Sequence, residues 1–254
     1  MSVFKSFALI SAMALTVAFA PTPSAALDLD AMTDVERAAF RAEVRAYLLD
    51  NPEVLMEAIR VLETRDQQAQ VAADVALAQA NADALFNDGY SYVGGNPDGD
   101  ITLVEFMDYR CGYCRQAFAE VEQLLELDGN IRFIVKEFPI LGEQSTLAAQ
   151  FAIATQQVAG DDAYKLVHDA LMTLRSDITP DSLARLGDAF ALDTAAVFAA
   201  MDSAEVAAVI DANQALAQRM QITGTPTFVV EDQMLRGYVP LPQMEQIVAA
   251  VRGE

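Results

Sequence analysis

Apolar and polar residues along the chain follow two different periods, and these periods predict which segments form strands and which form helices. Residues 101–107 and 131–138 are short apolar runs that are typical of buried strands. Between them, Phe118, Val121 and Leu124 recur at helical spacing. A strand, a helix and a second strand in this order indicate a βαβ unit, in which the strands are parallel and the crossover is right-handed.

The C-terminal half of the chain is predicted to be mostly helical and to return to the sheet near its end. Residues 144–220 have a helical pattern, with helix starts indicated at Asp161, Thr179 and Asp193. Glycine and proline at 224–226 break this pattern. The remaining predicted elements are an edge strand at 90–93, strands at 227–230 and 234–237, and a helix at 241–251. This order predicts an α/β domain that contains a helical insertion.

A separate helical segment is predicted before this domain. Thr33 and Glu36 form a capping-box signature that opens one helix, and Asn51 and Pro52 begin a second. Residues 52–87 contain no glycine and no further proline, so a continuous helix there would be about 54 Å long. The domain that follows, of roughly 155 residues, should be only about 40 Å across. The helix therefore either forms an oligomerisation arm or folds back on its own domain.

The first 26 residues have the features of a signal peptide. Lys5 supplies a positive charge, residues 7–20 form an apolar run, and small residues lead up to Ala26. The apolar run is shorter than the roughly 20 residues that a membrane span requires, which argues against a membrane anchor. We therefore expect export and cleavage near Ala26. The predicted organisation is a signal peptide at 1–26, an N-terminal helical oligomerisation domain at 27–88 and the main domain at 89–254, with its insertion at about 144–220.

Composition and charge exclude several classes of protein. The 254 residues are 53% apolar and 21% charged, which is typical of a folded globular protein. The net charge of −21 opposes binding to nucleic acid or to an anionic membrane, because both would be repelled. The single histidine, His168, excludes a histidine-rich metal site and is expected to be a packed or surface residue of a helix. No metal and no cofactor are predicted.

The two cysteines of the chain, Cys111 and Cys114, are three positions apart at the start of the predicted helix of the βαβ unit. A bond between them would close too short a loop to stabilise the fold by much. At a helix start, unpaired N–H groups favour a thiolate, and Arg110 and Arg115 add positive charge nearby. Cys111 is therefore the predicted nucleophile and Cys114 the resolving thiol. A structural or metal-binding pair is the alternative, although zinc would need further ligands.

Three segments together resemble the DsbA-like, thioredoxin-fold disulfide oxidoreductases. They are residues 104–114 (VEFMDYRCGYC), 138–142 (FPILG) and 224–228 (GTPTF). The resemblance covers residues 90–253 and implies a DsbA-like thioredoxin domain at 89–254. Residues 40–62, which include the sequence LLDNP, are similar to the extra N-terminal domain of the ScsC-like and Com1-like subgroup. The implied fold is α/β: a thioredoxin-like fold with an inserted helical domain, preceded by an N-terminal helical arm.

The resemblance also implies roles for individual residues. Pro226 would follow a cis peptide bond beside the cysteines, and the backbone of Thr225 would pair with an extended substrate. Glu105 matches the buried acid of the family, so burial should raise its pKa and suit it to proton transfer with Cys114. Lys136 on the neighbouring strand is a candidate partner for Glu105. A solvent-exposed Glu105 and an ordinary trans proline are the alternatives.

The resemblance implies thiol-disulfide exchange on exported proteins in the periplasm through the CGYC segment, residues 111–114. Thr225 and Tyr113 are shared more with isomerase-type members than with strong oxidants, which favours a disulfide isomerase or reductase. A DsbA-type dithiol oxidase and a non-enzymatic chaperone or Cu(I)-binding protein are the alternatives. The implied partners are unfolded or misoxidised exported proteins, a DsbD-like or DsbB-like membrane redox protein, and further copies of the chain through the N-terminal helices.

Overall fold

The computed structural model describes residues 30–253, and the predicted signal peptide at 1–26 lies outside them. The chain divides into two compact units, one ending at Val61 and the other beginning at Leu62. The first unit is helical in its described part, and the second contains the sheet. No helix within 30–253 combines the length and the apolar content that crossing a membrane requires.

The first unit contains the helix α1 (Asp34–Asp50) and the beginning of α2 (Pro52–Ala80). The predicted capping box is confirmed: Thr33 N–H donates to the Glu36 carboxylate at 2.9 Å, and Glu36 N–H donates to Thr33 Oγ1 at 3.3 Å. Within this unit many large apolar side chains are exposed: Val35, Phe40, Val44, Tyr47, Leu49, Leu55, Met56, Ile59 and Val61. Exposed apolar residues at this density are typical of a surface that binds a partner.

The long helix predicted to reach residue 87 is interrupted at Asn81. The helix α2 ends just before this residue, and a short helix, α3 (Ala82–Phe86), follows it. Asn81 Nδ2 donates to Leu77 O at 2.9 Å, and Asn81 Oδ1 accepts from Arg219 Nε at 2.8 Å. Asparagine side chains compete with the helix for backbone partners in this way. The continuous helix is therefore about 44 Å long, shorter than the sequence predicts.

The second unit is built on a sheet that has five strands in the described chain. They are β1 (Tyr92–Gly95), β2 (Ile101–Met107), β3 (Ile131–Glu137), β4 (Thr227–Val230) and β5 (Gln233–Arg236), in the spatial order β1-β3-β2-β4-β5. β2 and β3 are parallel, as the βαβ pattern predicts, and the helix α4 (Gly112–Asp128) connects them. The other neighbouring strands are antiparallel. This is the predicted thioredoxin-like fold.

Helices lie between β3 and β4, where the sequence predicts an insertion. They are α5 (Glu143–Ala159), α6 (Asp161–Thr173), α7 (Pro180–Ala189), α8 (Thr194–Met201) and α9 (Ala204–Arg219), and α10 (Leu241–Arg252) follows the sheet. The predicted helix starts are confirmed, because Asp161 begins α6 and the side chains of Thr179 and Asp193 cap α7 and α8.

The sheet is covered on both faces, and the alternation of side chains along each strand decides which face a residue joins. On one face, which we call the α4 face, Leu103 and Val135 pack with α4, α10 and the inserted helices. On the other, which we call the α3 face, Phe106 packs with Ala78 and Leu85 from the end of α2 and from α3. The end of α2 thus packs on the sheet. The domain boundary expected at residue 88 stays a prediction.

Candidate active site

The loop after β2 carries both cysteines, and Cys111 is the N-cap residue of α4. Cys111 is 7% exposed, whereas Cys114, in the first turn of the helix, is fully buried. Both are free thiols. Cys111 N–H donates to Asp108 O at 3.0 Å, which fixes the turn that leads into the helix. The more exposed sulfur is therefore the one at the helix start, as the sequence predicts.

The surroundings of Cys111 stabilise its thiolate. Its pKa is lowered to about 5, chiefly by a hydrogen bond from the Cys114 thiol. Burial acts in the opposite direction, whereas hydrogen bonds from the Thr225 side chain and from the backbone N–H groups of Tyr113 and Cys114 lower the pKa further. The two backbone donors belong to the first turn of α4, where a helix has unpaired N–H groups.

Arg110 and Arg115 contribute less to this site than the sequence suggests. Neither arginine is among the main causes that lower the pKa of Cys111. Arg115 Nε instead donates to the backbone oxygen of Tyr109 at 2.7 Å, so this side chain supports the turn before the cysteines. The Cys114 thiol first, and then the Thr225 side chain and the backbone donors of the helix start, favour the thiolate, and the arginine charges do not.

Cys114 and Glu105 both hold protons. The pKa of Cys114 is raised, first because its thiol donates to Cys111 and then because of burial and the negative charge of Glu105. Glu105 lies on β2 and is 2% exposed, so the alternative of a solvent-exposed side chain is wrong. Burial, followed by the negative charge of Cys111, raises the pKa of Glu105 to about 8. The prediction of a buried acid with a raised pKa is confirmed, whereas its role in proton transfer stays a prediction.

The predicted pair of Glu105 with Lys136 is wrong. The register of β2 and β3 places Glu105 opposite Val135, and the next residue of β3, Lys136, faces the other side of the sheet. On the α3 face, Lys136 Nζ pairs with Asp88 and donates to Ala84 O at 2.9 Å. Glu105 Oε1, on the α4 face, has no hydrogen-bond partner within the described residues.

The loop before β4 lies against Cys111. The Thr225–Pro226 peptide bond is cis, as the resemblance implies. In its thiol form, Cys111 Sγ–H donates to Thr225 O at 3.2 Å. Gly237 N–H donates to Pro226 O at 2.9 Å and so joins this loop to the end of β5. The structure thus brings both predicted loop residues to the cysteines, and their binding of substrate stays a prediction.

A second buried carboxyl group, Glu137 at the end of β3, is not predicted by the sequence analysis. Its Oε1 accepts from the Tyr109 and Tyr164 hydroxyls, both at 2.7 Å, and burial raises its pKa to about 8. His168 Nδ1 lies 3.0 Å from Tyr109 Oη, and burial lowers the pKa of His168 to about 3. His168 is thus a neutral, packed helix residue, as expected. In the sequence, the pattern that could have indicated Glu137 is a pair of adjacent charged residues, Lys136 and Glu137, in an apolar strand.

Asp108 is another functional candidate that the sequence analysis did not assign. Its carboxylate is 1% exposed and accepts hydrogen bonds both from the CGYC side and from residues 140–141. A polar residue that ends an apolar strand immediately before the cysteines was the available signal. Its position between two segments of the site suggests a function in arranging them.

The arrangement as a whole is suited to thiol-disulfide exchange. It combines a stabilised thiolate at Cys111, a protonated thiol at Cys114 and a buried acid at Glu105. Across residues 30–253, no group of three or more His, Cys, Asp and Glu side chains is placed to hold a metal ion.

Two protein families match segments of this chain. Residues 102–249, more than half of the chain, match the DSBA-like thioredoxin domain. Residues 36–69 match the copper resistance protein ScsC N-terminal domain. The first match contains the cysteines and the sheet except β1 and the first residue of β2, and the second contains most of α1 and the beginning of α2.

Solved structures share the fold. A thioredoxin-like oxidoreductase from Silicibacter pomeroyi is 42% identical, with 68% of this chain and 99% of that chain covered and a TM-score of 0.64. A linker-deletion mutant of Proteus mirabilis ScsC is 27% identical over 89% of this chain and 99% of that chain, with a TM-score of 0.65. A periplasmic thioredoxin-like protein from Salmonella enterica serovar Typhimurium is 28% identical, with 68% of this chain and 96% of that chain covered and a TM-score of 0.61.

Curated relatives match parts of the chain. Disulfide bond formation protein D of Bacillus subtilis is 24% identical over 166 residues, which cover 61% of this chain and 73% of that protein. The Na(+)/H(+) antiporter NhaA 3 of Salinispora tropica is 27% identical over 146 residues, or 58% of this chain, but the match spans only 22% of the antiporter's length. From the family match over more than half its length, the chain belongs to the DsbA-like thioredoxin-domain family and is a thiol-disulfide oxidoreductase.

Proposed function

We propose that the protein is a periplasmic disulfide isomerase or reductase that acts on unfolded or misoxidised exported proteins through Cys111 and Cys114. The observation that carries this proposal is a thiolate-stabilising helix start at Cys111 with a protonated Cys114 in the same turn. The features of residues 1–26 and the similarity to a periplasmic thioredoxin-like protein support the location.

The reaction begins when the Cys111 thiolate attacks one sulfur of a substrate disulfide. A Cys111–substrate disulfide forms, and the other substrate sulfur leaves as a thiolate. In isomerisation, a different substrate thiolate attacks this mixed disulfide, which restores the Cys111 thiolate without net oxidation. In reduction, Cys114 attacks instead, so that a Cys111–Cys114 disulfide forms and the substrate leaves as a dithiol.

Glu105 is suited to accept the proton of Cys114 in the reductive step. While Cys111 is a thiolate, its negative charge adds to burial in raising the pKa of Glu105. Formation of the mixed disulfide removes this charge, so the pKa of Glu105 falls. The carboxyl group then releases its proton to water, and the resulting carboxylate accepts the proton of Cys114 as Cys114 attacks. Glu105 would thus act as a base only after substrate has reacted.

Thr225 and Pro226 are proposed to hold the segment of substrate that carries the attacked disulfide. Thr225 O already lies 3.2 Å from Cys111 Sγ, so a chain bonded to this sulfur must pass the loop. The backbone of Thr225 would pair with that chain in extended conformation. Binding of this kind depends little on substrate sequence, which suits an enzyme that acts on many unfolded proteins.

The preference for isomerase or reductase has two supports. Tyr113 stands where strong oxidants of the family have histidine, and the first unit exposes an apolar surface suited to association with further copies of the chain. Oligomers would hold several sites around one unfolded substrate. Light scattering on the mature chain tests whether copies of the chain associate. Leu55→Glu should lower the oligomer mass, whereas Glu57→Gln on the opposite side of α2 should not.

A dithiol oxidase is the second candidate. The lowered pKa of Cys111 favours it, because a stabilised thiolate stabilises the reduced enzyme and makes the disulfide form more oxidising. The two candidates need different membrane partners. A DsbD-like protein would keep the site reduced for isomerisation, whereas a DsbB-like protein would reoxidise it.

Turnover of a scrambled disulfide protein, together with a redox titration against glutathione, tests the proposal. We expect wild-type turnover, loss of turnover in Cys111→Ser, and a trapped mixed disulfide in Cys114→Ser because resolution by Cys114 is removed. Net oxidation of a reduced protein without reshuffling would favour the oxidase. Stoichiometric Cu(I) binding by the reduced protein without any turnover would favour the binding protein instead.

The pH dependence of alkylation tests the assignment of the nucleophile. Because only the thiolate reacts, the rate at Cys111 should rise about tenfold per pH unit up to pH 5 and level off above it. Preferential alkylation of Cys114, or a rate that keeps rising to pH 8, would contradict the assignment. Cys114→Ser is the matched control, since serine retains a hydroxyl that can donate to Cys111.

A further inference from the structure

The Asp108 carboxylate joins two separate segments of the active site. One of its oxygens, Oδ2, accepts from the backbone N–H of Ile140 at 2.8 Å and of Leu141 at 3.0 Å. These residues belong to the loop between β3 and α5. The loop is therefore held by a side chain that comes from the end of β2, three residues before Cys111.

The other oxygen of Asp108 binds the cysteine segment and the start of α5. Oδ1 accepts from Arg110 N–H at 2.7 Å and from Ser145 Oγ at 2.8 Å. The Asp108 backbone oxygen also accepts from Cys111 N–H at 3.0 Å. The carboxylate, 1% exposed, thus accepts four hydrogen bonds. A buried carboxylate is stable only when its acceptor sites are filled, and such charge-assisted bonds are strong.

The two segments that Asp108 joins carry exposed apolar side chains. Tyr113, between the cysteines, is 63% exposed, and Ile140 and Leu141 are 39% and 52% exposed. Adjacent exposed apolar side chains are typical of a surface that binds a partner. An unfolded polypeptide bonded to Cys111 is long enough to reach residues 140–141, because an extended chain spans about 3.3 Å per residue, whereas a small disulfide is too short.

We propose that Asp108 is a positioning residue that sets the spacing between Cys111 and the apolar side chains of residues 140–141, and so favours unfolded polypeptide over small disulfides as substrate. This inference rests on the proposed function of Cys111 as nucleophile. The Asp108 side chain does not touch the sulfur of Cys111 in this scheme, although the Asp108 backbone is a hydrogen-bond partner of Cys114. It acts through the Arg110 backbone on one side and the 140–141 backbone on the other.

Two substitutions of Asp108 should differ in a way that the geometry dictates. In Asp108→Asn, the two backbone donors at Oδ2 require the amide oxygen there, so the amide NH₂ faces Ser145, which can accept, and Arg110 N–H, which cannot. This variant loses one bond of four. Asp108→Ala loses all four and frees the 140–141 loop from the cysteine segment.

The test compares two substrates of the same enzyme: a scrambled, unfolded disulfide protein and oxidised glutathione. For Asp108→Ala we expect KM for the protein to rise at least about tenfold, the scale of a lost charge-assisted bond, and kcat/KM for glutathione to fall by a clearly smaller factor. Asp108→Asn should give a smaller rise, and Ser145→Ala a smaller one still. Thr146→Ala, in the same helix but away from the carboxylate, is the control.

The pKa of Cys111, measured by thiolate absorbance, separates positioning from simple damage. Removal of a nearby negative charge should leave this pKa unchanged or lower it, whereas collapse of the helix start would raise it. Equal losses on both substrates with a raised pKa would overturn the inference, and so would an unchanged KM for the protein.

A second variant keeps the test decisive if Asp108→Ala does not fold. Ile140→Ser with Leu141→Ser changes exposed side chains and should reproduce the rise in KM for the protein substrate alone. An unchanged KM in this double variant would also overturn the inference. If the wild type itself turns over neither substrate, the proposed function fails. If the wild type turns over both substrates but the variants affect both equally, only the inference about Asp108 fails.

Discussion

Both faces of the central sheet bury ionisable side chains, but the partners of these side chains differ between the two faces. On the α3 face, Lys136 is completely buried and has partners for its charge: Asp88, the Ala84 backbone oxygen at 2.9 Å and the ring of Tyr90, whose centroid is 5.6 Å away. Burial would raise the pKa of Asp88, but its hydrogen bond and ion pair with Lys136 lower it. The charge on this face is neutralised.

On the α4 face, two buried carboxyl groups lack part of their hydrogen bonding. Glu105 Oε1 and Glu137 Oε2 have no hydrogen-bond partner within residues 30–253, and burial raises both pKa values to about 8. These acids therefore keep their protons at neutral pH and lie on the side of the sheet that carries the cysteines. A paired buried charge thus serves the fold, whereas an unpaired acid costs stability and is free to exchange a proton.

The largest effect should come from breaking the pair on the α3 face. Asp88→Asn leaves the Lys136 ammonium buried without a counter-charge, so we expect the free energy of unfolding to fall by about 3 kcal/mol. Urea denaturation at neutral pH measures this loss. Activity per folded molecule should stay close to that of wild type, because this face does not contain the cysteines.

Two further variants show whether the unpaired charge is the cause. Asp83→Asn changes an exposed carboxyl in α3 and should alter stability by less than about 0.5 kcal/mol. Lys136→Met in the Asp88→Asn background removes the unpaired ammonium and should restore part of the loss. A double variant that is less stable than Asp88→Asn alone would show that the ion pair is not what Asp88 contributes.

Substitution of the unpaired acid on the α4 face, Glu105, should raise the free energy of unfolding instead of lowering it. Because the pKa of Glu105 is higher in the folded protein, the unfolded chain releases this proton from about pH 4.5 upward while the folded protein retains it to about pH 8. Stability is therefore lost as pH rises through this window. Glu105→Gln removes the loss, so the free energy of unfolding at pH 7 should increase by about 2 to 3 kcal/mol.

The same variant should slow chemistry while it stabilises the fold. Without Glu105 no buried base accepts the Cys114 proton, so resolution of the mixed disulfide should slow, whereas alkylation of Cys111 should not. Stopped-flow decay of the mixed disulfide at pH 7 measures the first rate. A Glu105→Gln protein that is neither more stable nor slower than wild type would remove the contrast between the two faces.

The smallest effect is expected at Glu137. Tyr164→Phe removes one of the two hydroxyls that donate to Glu137 Oε1 and should lower the free energy of unfolding by about 1 kcal/mol. The pKa of Glu137 should rise further, since that hydrogen bond lowers it. Tyr92→Phe is the control, because its ring stacks on Tyr164 at 4.7 Å and both bonds to Glu137 remain. Equal losses in the two variants would mean that the loss is not specific to the hydroxyl that donates to Glu137.

Much of the fold and the core of the site could be predicted from the sequence because both depend on local spacing. The apolar runs, the helix starts and the position of Cys111 at the head of α4 are set by residues within one or two turns of each other. The buried character of Glu105 follows in the same way from its apolar neighbours in β2. The break at Asn81 was missed because its Arg219 contact comes from a helix far along the chain.

Local sequence patterns are enough to assign which residues form strands and helices and which thiol begins a helix. How those elements meet depends on contacts between residues that are far apart in the chain. A shift of one residue in the β2–β3 register would have placed Lys136 on the same face as Glu105, and nothing local to either strand specifies that register. Likewise, Asp108 becomes a link only because β3 brings residues 140–141 to its carboxylate. Side-chain alternation is a local property, whereas the pairing of strands depends on the packing of the whole domain.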